Sequence, residues 1–165
     1  MYGIMSPYLQ TKEIAFIIDG MVKVKRIENE KELSECMYIR RMSFIVEKNI
    51  PESIEVDSFD TYPSKMMHFL VLKEDMPVST FRASIIENNT VKLQRICTLK
   101  EYRGKGYGKV AMDYAYDYFK NMGLKRLYLH SQEDSVGFYE KCGFKVISDM
   151  FLEADIPHYE MEKQL

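Results

Sequence analysis

Polar and apolar positions recur along the chain at two spacings, every second residue or every third to fourth, and each spacing marks an element. "EIAFIIDGMVKVKRI" (13–27) sets Asp19-Gly20 between two β-prone runs, the pattern of a hairpin. The alternative is that residues 1–20 form an N-terminal extension, with the domain starting at Met21. "NEKELSECMYIRRMSFIVEK" (29–48) carries Leu33, Met37 and Phe44 on a broad apolar face and predicts a helix starting near Asn29 or Glu30. The stretch after it, "NIPESIEVDSFDTYPSK", holds two prolines among carboxylates and reads as a loop or short helix.

Strands follow. "HFLVLKE" (68–74) is a short apolar run, and "VSTFRASII" (78–86) alternates with Phe81, Ala83 and Ile85 on one face. Asn88-Asn89 tolerates positive φ, so "VKLQRICTL" (91–99) returns antiparallel to it. A helix over about 107–122 buries a stripe that includes Val110, Ala111, Tyr114, Ala115, Tyr118, Phe119 and Met122, and Gly123 closes it. "LKRLYLHS" (124–131) reads as a buried strand reached by a crossover. "EDSVGFYEKC" (133–142) is a short helix, capped by Asp134 and stopped by Gly143. "FKVISDM" and "HYEMEK" close the chain as strands. Strands in series, then strands alternating with helices, predict a mixed α/β sheet with helices on its faces and a single domain over 21–165.

Composition narrows this little. The chain of 165 residues fits one domain, and its net charge of −2 recruits no nucleic acid by a global field, so any basic site must be local. Three cysteines, Cys36, Cys97 and Cys142, show no metal-ligand spacing and read as reduced core residues; no structural metal is expected. With no signal-peptide pattern and no apolar run long enough to span a bilayer, the expectation is a cytoplasmic domain that does not engage a membrane.

One basic cluster stands out. Residues 103–109 hold three glycines and three cations, and a helix begins within them. A helix N-terminus leaves N–H groups unpaired, and glycines let that backbone approach a ligand, so the stretch suits an anion such as a diphosphate. A tight turn with solvated lysines is the plainer alternative. A P-loop is excluded because Gly104 and Gly108 are one residue too close and Val110 stands where a hydroxyl is needed. A G-x-G-x-x-G fingerprint is absent too: the glycines are Gly104, Gly106 and Gly108.

Arg103-x-x-Gly106-x-Gly108 resembles the R/Q-x-x-G-x-G/A signature of the GCN5-related N-acetyltransferases (the GNAT family), as does the whole of "LQRICTLKEYRGKGYGKVAM". "HSQEDSVGFYEKCGF" is similar to the family's second conserved segment, in the expected order. The resemblance runs from about Met21 to the C-terminus, is to small bacterial members, and implies the acyl-CoA N-acyltransferase fold. That fold is a mixed, mostly antiparallel sheet splayed at the acetyl-CoA cleft, with helices on both faces.

It further implies acetyl-coenzyme A as co-substrate and an amine as acceptor. The backbone amides of Gly104, Lys105, Gly106, Tyr107, Gly108 and Lys109 would hold the pyrophosphate, with Arg103, Lys105 and Lys109 adding charge around it. Ile96, Cys97 and Thr98 would pair their backbone with the pantetheine arm, with Gln132 on the coenzyme side as well. Tyr139 matches the family tyrosine that protonates the departing thiolate. Some relatives take the amine's proton with a glutamate on the strand before the loop. Lys92 stands there instead, and His130 at a strand end is the first substitute, although a histidine so placed is more often structural. Glu133 and Asp134 are read as helix caps, His158 as either an acceptor-side or a sheet-edge residue, and Cys97 as a strand residue with no base beside it.

For the acceptor, the resemblance implies a small-molecule or peptide amine, with homodimerisation left open. Glu47, Glu52, Glu55, Asp57 and Asp60 form either a rim that attracts a cationic amine or a solvated acidic loop. A non-catalytic acyl-CoA sensor is the alternative to an enzyme, because position 92 lacks the glutamate.

Overall fold

The computed structural model describes residues 20–165 together with the backbone of Phe16–Ile17. Strands β1 (Phe16–Ile17) and β2 (Met21–Arg26) precede helix α1 (Glu30–Arg40), whose last turn widens into a π-helical segment over Arg41–Val46. The short helix α2 (Glu52–Glu55) leads to β3 (Met67–Lys73), β4 (Met76–Ile86) and β5 (Thr90–Thr98). Helix α3 (Tyr107–Asn121), β6 (Arg126–Gln132), α4 (Val136–Lys141), β7 (Lys145–Val146), β8 (Phe151–Glu153) and β9 (Ile156–Gln164) complete the chain. Among the described residues, nine strands join one sheet in the order β1-β2-β3-β4-β5-β6-β9-β7, with β8 on β9, and only β5–β6 is parallel. The expected mixed, mostly antiparallel sheet is therefore the one observed.

Two cores flank it. Under α3, Phe69 and Phe81 sit opposite each other on β3 and β4 and stack at 4.5 Å. Tyr118 and Phe119 of α3 meet Phe69 edge-on at 5.2 and 6.0 Å, so the helical stripe and the strand face lock together. On the other face, α1 lays Leu33, Cys36 and Ile39 against Leu70, Cys97 and Leu99. Asn29 caps α1 by accepting from the Glu32 N–H at 2.9 Å. All three cysteines are buried thiols.

Several predicted features change. The helix expected over 29–48 loses its 3.6-residue period at Arg41. That expected over 133–142 splits into a 3-10 turn (Glu133–Ser135) and α4, and no side chain caps α4, so Asp134 is not its N-cap. β8 was not predicted. Of the extra strand or extension expected over 1–20, Phe16–Ile17 pair with Val22 and Met21; residues 1–15 and 18–19, Asp19 included, lie outside the described residues.

Two irregularities in β5 open the sheet. Arg95 and Ile96 together oppose Phe81, because the register passes from Thr80↔Cys97 to Arg82↔Gln94. This bulge holds Arg95 at φ +53. The parallel ladder to β6 ends at the same place, at Leu93↔Leu129. Beyond it β5 continues on β4 to Thr98 while β6 continues on β9 to Gln132, so the two strands part.

Candidate active site

Two cavities occupy the gap between β5 and β6. The larger, about 570 Å³, lies between the β5 end, the glycine loop and α4. The smaller, about 300 Å³, lies between the bulge, β6 and the β8–β9 hairpin. Tyr139, Ile96, Phe44, Lys48 and Ser135 line both, so the cavities meet at the tip of the parting strands.

The larger cavity gathers most of the residues singled out in the sequence: Ile96, Cys97, Thr98, Arg103, Gly104, Gly106, Tyr107, Gly108, Lys109 and Tyr139. Past Leu93 the backbone of β5 has no ladder partner on its β6 side, which leaves an edge that an extended ligand can occupy. Gly106 at φ +92 turns the chain into α3, and the first intrahelical bond runs from the Val110 N–H to the Gly106 carbonyl at 3.0 Å. The N–H groups ahead of Val110 are thus the helix-start donors, on a stretch of backbone that lines the cavity. Gly108 has a second reason to be glycine: a Cβ there would come within 3.0 Å of the Phe138 ring.

The cations behave differently from the loop backbone. Arg103 forks onto Glu47, Nη1 to Oε1 at 2.6 Å and Nη2 to Oε2 at 2.7 Å, while its Nε donates to the Thr98 carbonyl. That hydrogen-bonded pair holds the Glu47 carboxyl below its usual range. Arg103 therefore ties the end of the first helix to the glycine loop. Lys109 pairs with Asp113 one turn on, and Lys105 lies over the Tyr102 ring outside the cavity lining. Gln132 falls in the smaller cavity, where Lys48 Nζ donates to its Oε1.

The acidic loop is neither an open rim nor a solvated tract. Glu55 and the side chain of Asp60 are buried with Arg40 and Arg82, which are 1% and 2% exposed. Arg40 donates to Glu55 Oε1 at 2.6 Å and to Asp60 Oδ1 at 2.5 Å, and Arg82 donates to Asp60 at 2.9 Å and to Asp57 Oδ2 at 2.5 Å. Arg95, extruded by the bulge, places Nε 2.8 Å from Glu55 Oε2. Three carboxylates thus offset three guanidiniums, and the loop is bolted to α1, β4 and β5. Glu52, the loop's exposed carboxylate, pairs with Arg41.

The smaller cavity carries the titratable groups. His130 sits on its wall with Nδ1 3.0 Å from Glu153 Oε1 and Nε2 2.9 Å from the Tyr128 hydroxyl. Tyr128 in turn donates to Glu160 Oε1 at 2.5 Å. His158, buried, hydrogen-bonds the Ile156 carbonyl through Nδ1 and turns Nε2 to 3.4 Å from Glu153 Oε2. It lines the smaller cavity. Lys92 and Gln94 contribute from β5, and the Gln94 Oε1 is buried without a protein partner. Tyr139 is buried between the cavities, and that burial pushes its phenol far up, so it carries its proton at any working pH. Sequence reasoning missed Glu153, Tyr128 and Glu160. The one available signal was alternation within β6, which puts Tyr128 beside His130 on one face.

Comparison with known proteins identifies the family and the fold. The profile of the Acetyltransferase (GNAT) family matches residues 33–144. Uncharacterized protein YyaT of Bacillus subtilis is 42% identical over 144 residues, covering 87% of this chain and 97% of its own. A solved structure from Lactobacillus plantarum superposes with a TM-score of 0.81 at 26% identity, over 87% of this chain and 98% of that one. An acyl-CoA N-acyltransferase from Pseudomonas aeruginosa superposes with a TM-score of 0.73 at 25% identity, over 86% and 97%.

Proposed function

Because the chain belongs to the GNAT family of acetyltransferases, we propose that it moves the acetyl group of acetyl-coenzyme A to a primary amine by direct attack in the parted cleft. The observation that carries this reading is the position of Tyr139, on the wall of both cavities at the point where they meet. A thioester brought in from one side and an amine from the other would react beside its hydroxyl.

In this reading the helix-start N–H groups of residues 104–109 hold the coenzyme pyrophosphate, and glycine at 104, 106 and 108 keeps that backbone bare. The pantetheine arm runs along Ile96, Cys97 and Thr98, whose backbone faces the gap left by β6, and Gln132 closes the coenzyme's far side with Lys48. A β5 amide polarises the thioester carbonyl as it gains negative charge. The amine attacks from the smaller cavity after losing a proton to the His130 side of it. As the carbon–sulfur bond breaks, Tyr139 protonates the thiolate, a role suited to a phenol that burial keeps protonated. A cavity of about 300 Å³ favours a small amine or a peptide terminus.

The test is acetyl-coenzyme A with a broad panel of primary amines, followed by release of free thiol. Tyr139→Phe is expected to lower kcat by about 10²-fold or more while coenzyme affinity, measured by calorimetry, stays within a few-fold. Coenzyme binding with no thiol release for any amine would make the protein an acyl-CoA binding module instead.

A further inference from the structure

Resting on the acetyl-transfer reading, we propose that Glu153, on the β8–β9 hairpin, is the group that takes the proton from the incoming amine, and that His130 shares it from behind.

Two carboxylates line the smaller cavity, Glu55 and Glu153. Glu55 is spent: Arg40 holds one oxygen and Arg95 the other, and its side chain is 4% exposed. Glu153 is half exposed and reaches the cavity because Ala154 and Asp155, at φ +49 and +60, make a two-residue turn that folds β8 back on β9. From β5 the cavity receives a cation, Lys92. His130 itself has both ring nitrogens engaged, Nδ1 by Glu153 and Nε2 by Tyr128, so an amine in the cavity meets Glu153 first.

The contacts also supply a place for the proton. Glu153, His130, Tyr128 and Glu160 form a chain of three hydrogen-bond contacts. With Tyr128 donating to Glu160 and His130 Nε2–H donating to Tyr128, the contact between His130 Nδ1 and Glu153 is the one still needing a hydrogen. A proton removed from the substrate ammonium by Glu153 fills it. The N–H bond of the ammonium breaks and an O–H or Nδ1–H bond forms; the freed lone pair then attacks the thioester carbon. The second proton, lost from nitrogen in the tetrahedral intermediate, balances the one Tyr139 gives to sulfur, and the first leaves to solvent past the exposed side of Glu153. His130 and His158 contact Glu153; Lys48, Glu55, Lys92, Arg95 and Tyr139 share its cavity, and Tyr128 and Glu160 reach it through His130. Burial pushes the Glu153 carboxyl up, but once Nδ1 carries the hydrogen the His130 hydrogen bond and charge, with the His158 and Lys92 charges, together hold it below its usual range.

Glu153→Gln keeps the shape and removes the ability to accept a proton. With any amine that the wild type acetylates, its kcat/KM at neutral pH is expected to fall about 100-fold, with calorimetric affinity for coenzyme A unchanged. The deficit should shrink as pH rises toward the amine's own pKa, where the substrate arrives deprotonated. A variant that keeps the wild-type rate, or that loses the same factor at every pH, overturns the assignment while leaving acetyl transfer standing. A wild type that binds the coenzyme but releases no thiol with any amine of the panel removes both readings.

Discussion

Arg95 and Glu55 meet at the edge of the cleft, Nε to Oε2 at 2.8 Å, and the same Nε donates to the Glu55 carbonyl at 3.2 Å. One residue is the product of the β5 bulge and the other ends α2, so this pair links the opening of the sheet to the loop beside it. Glu55 also accepts from Arg40 at 2.6 Å. Glu55→Gln leaves two guanidiniums short of a counter-charge, one of them fully buried, and is expected to cost about 3–5 kcal/mol. For a chain of this length that lowers Tm by roughly 10 °C or more. Urea unfolding that finds a loss below about 1 kcal/mol would show that the pair does not hold the loop.

Arg95 makes a second, separable prediction. Its φ of +53 is the left-handed conformation, which costs a residue with a Cβ about 1–2 kcal/mol relative to glycine. Arg95→Gly and Arg95→Ala both lose the Glu55 contact, but the glycine variant is relieved of that strain. It should therefore be the more stable of the two by about 1 kcal/mol, read from paired denaturant curves. An equal loss in both would mean that the bulge relaxes once the side chain is gone.

The same comparison shows what local sequence carries. Asn88 and Asn89 adopt φ of +58 and +51, as their side chains favour, and β5 returns antiparallel to β4 as expected. Helix α3 starts at Tyr107 as read, because the glycines before it and the apolar stripe within it are both local signals. The β8–β9 turn uses Ala154 and Asp155, and alanine gives no turn signal, so the hairpin and Glu153 with it went unread. The acidic loop failed for a different reason: the partners of Glu55, Asp57 and Asp60 lie on three distant elements, and no spacing along the chain announces a charge neutralised from afar. The π-helical widening at Arg41–Val46 is likewise invisible to a 3.6-residue period.

Acid should attack this network through Asp57. Its hydrogen bonds from Arg82, against a smaller opposing effect of burial, bring its carboxyl from the usual 3.8 to about 2. A carboxyl whose pKa is lower folded than unfolded stabilises the fold at pH above its unfolded value, and that contribution disappears as pH falls through the folded one. Stability should therefore be flat in this contribution above about pH 4 and decline from there toward about 2. Asp57→Asn should be less stable than wild type at pH 6, and the difference should narrow over that acid interval. Tm measured in steps from pH 6 to pH 2.5 checks it; parallel curves for the two proteins would refute it.

Under the proposed function, the glycine loop gives the sharpest separation between backbone and side-chain recognition of the coenzyme. Gly106 holds φ +92 at the head of α3, and alanine there costs about 1–2 kcal/mol if the turn is kept. If the turn relaxes instead, the helix-start N–H groups swing off the cavity. Either way Gly106→Ala should lower Tm or weaken coenzyme A binding, the latter by about tenfold if the whole cost falls on the bound state. Lys109 is exposed and paired with Asp113, so Lys109→Ala removes a charge already partly offset and should weaken binding by no more than about threefold. Calorimetry of both variants at two salt concentrations decides between the two modes. A larger loss for Lys109→Ala, growing as salt is lowered, would mean that side-chain charge and not peptide N–H groups captures the pyrophosphate.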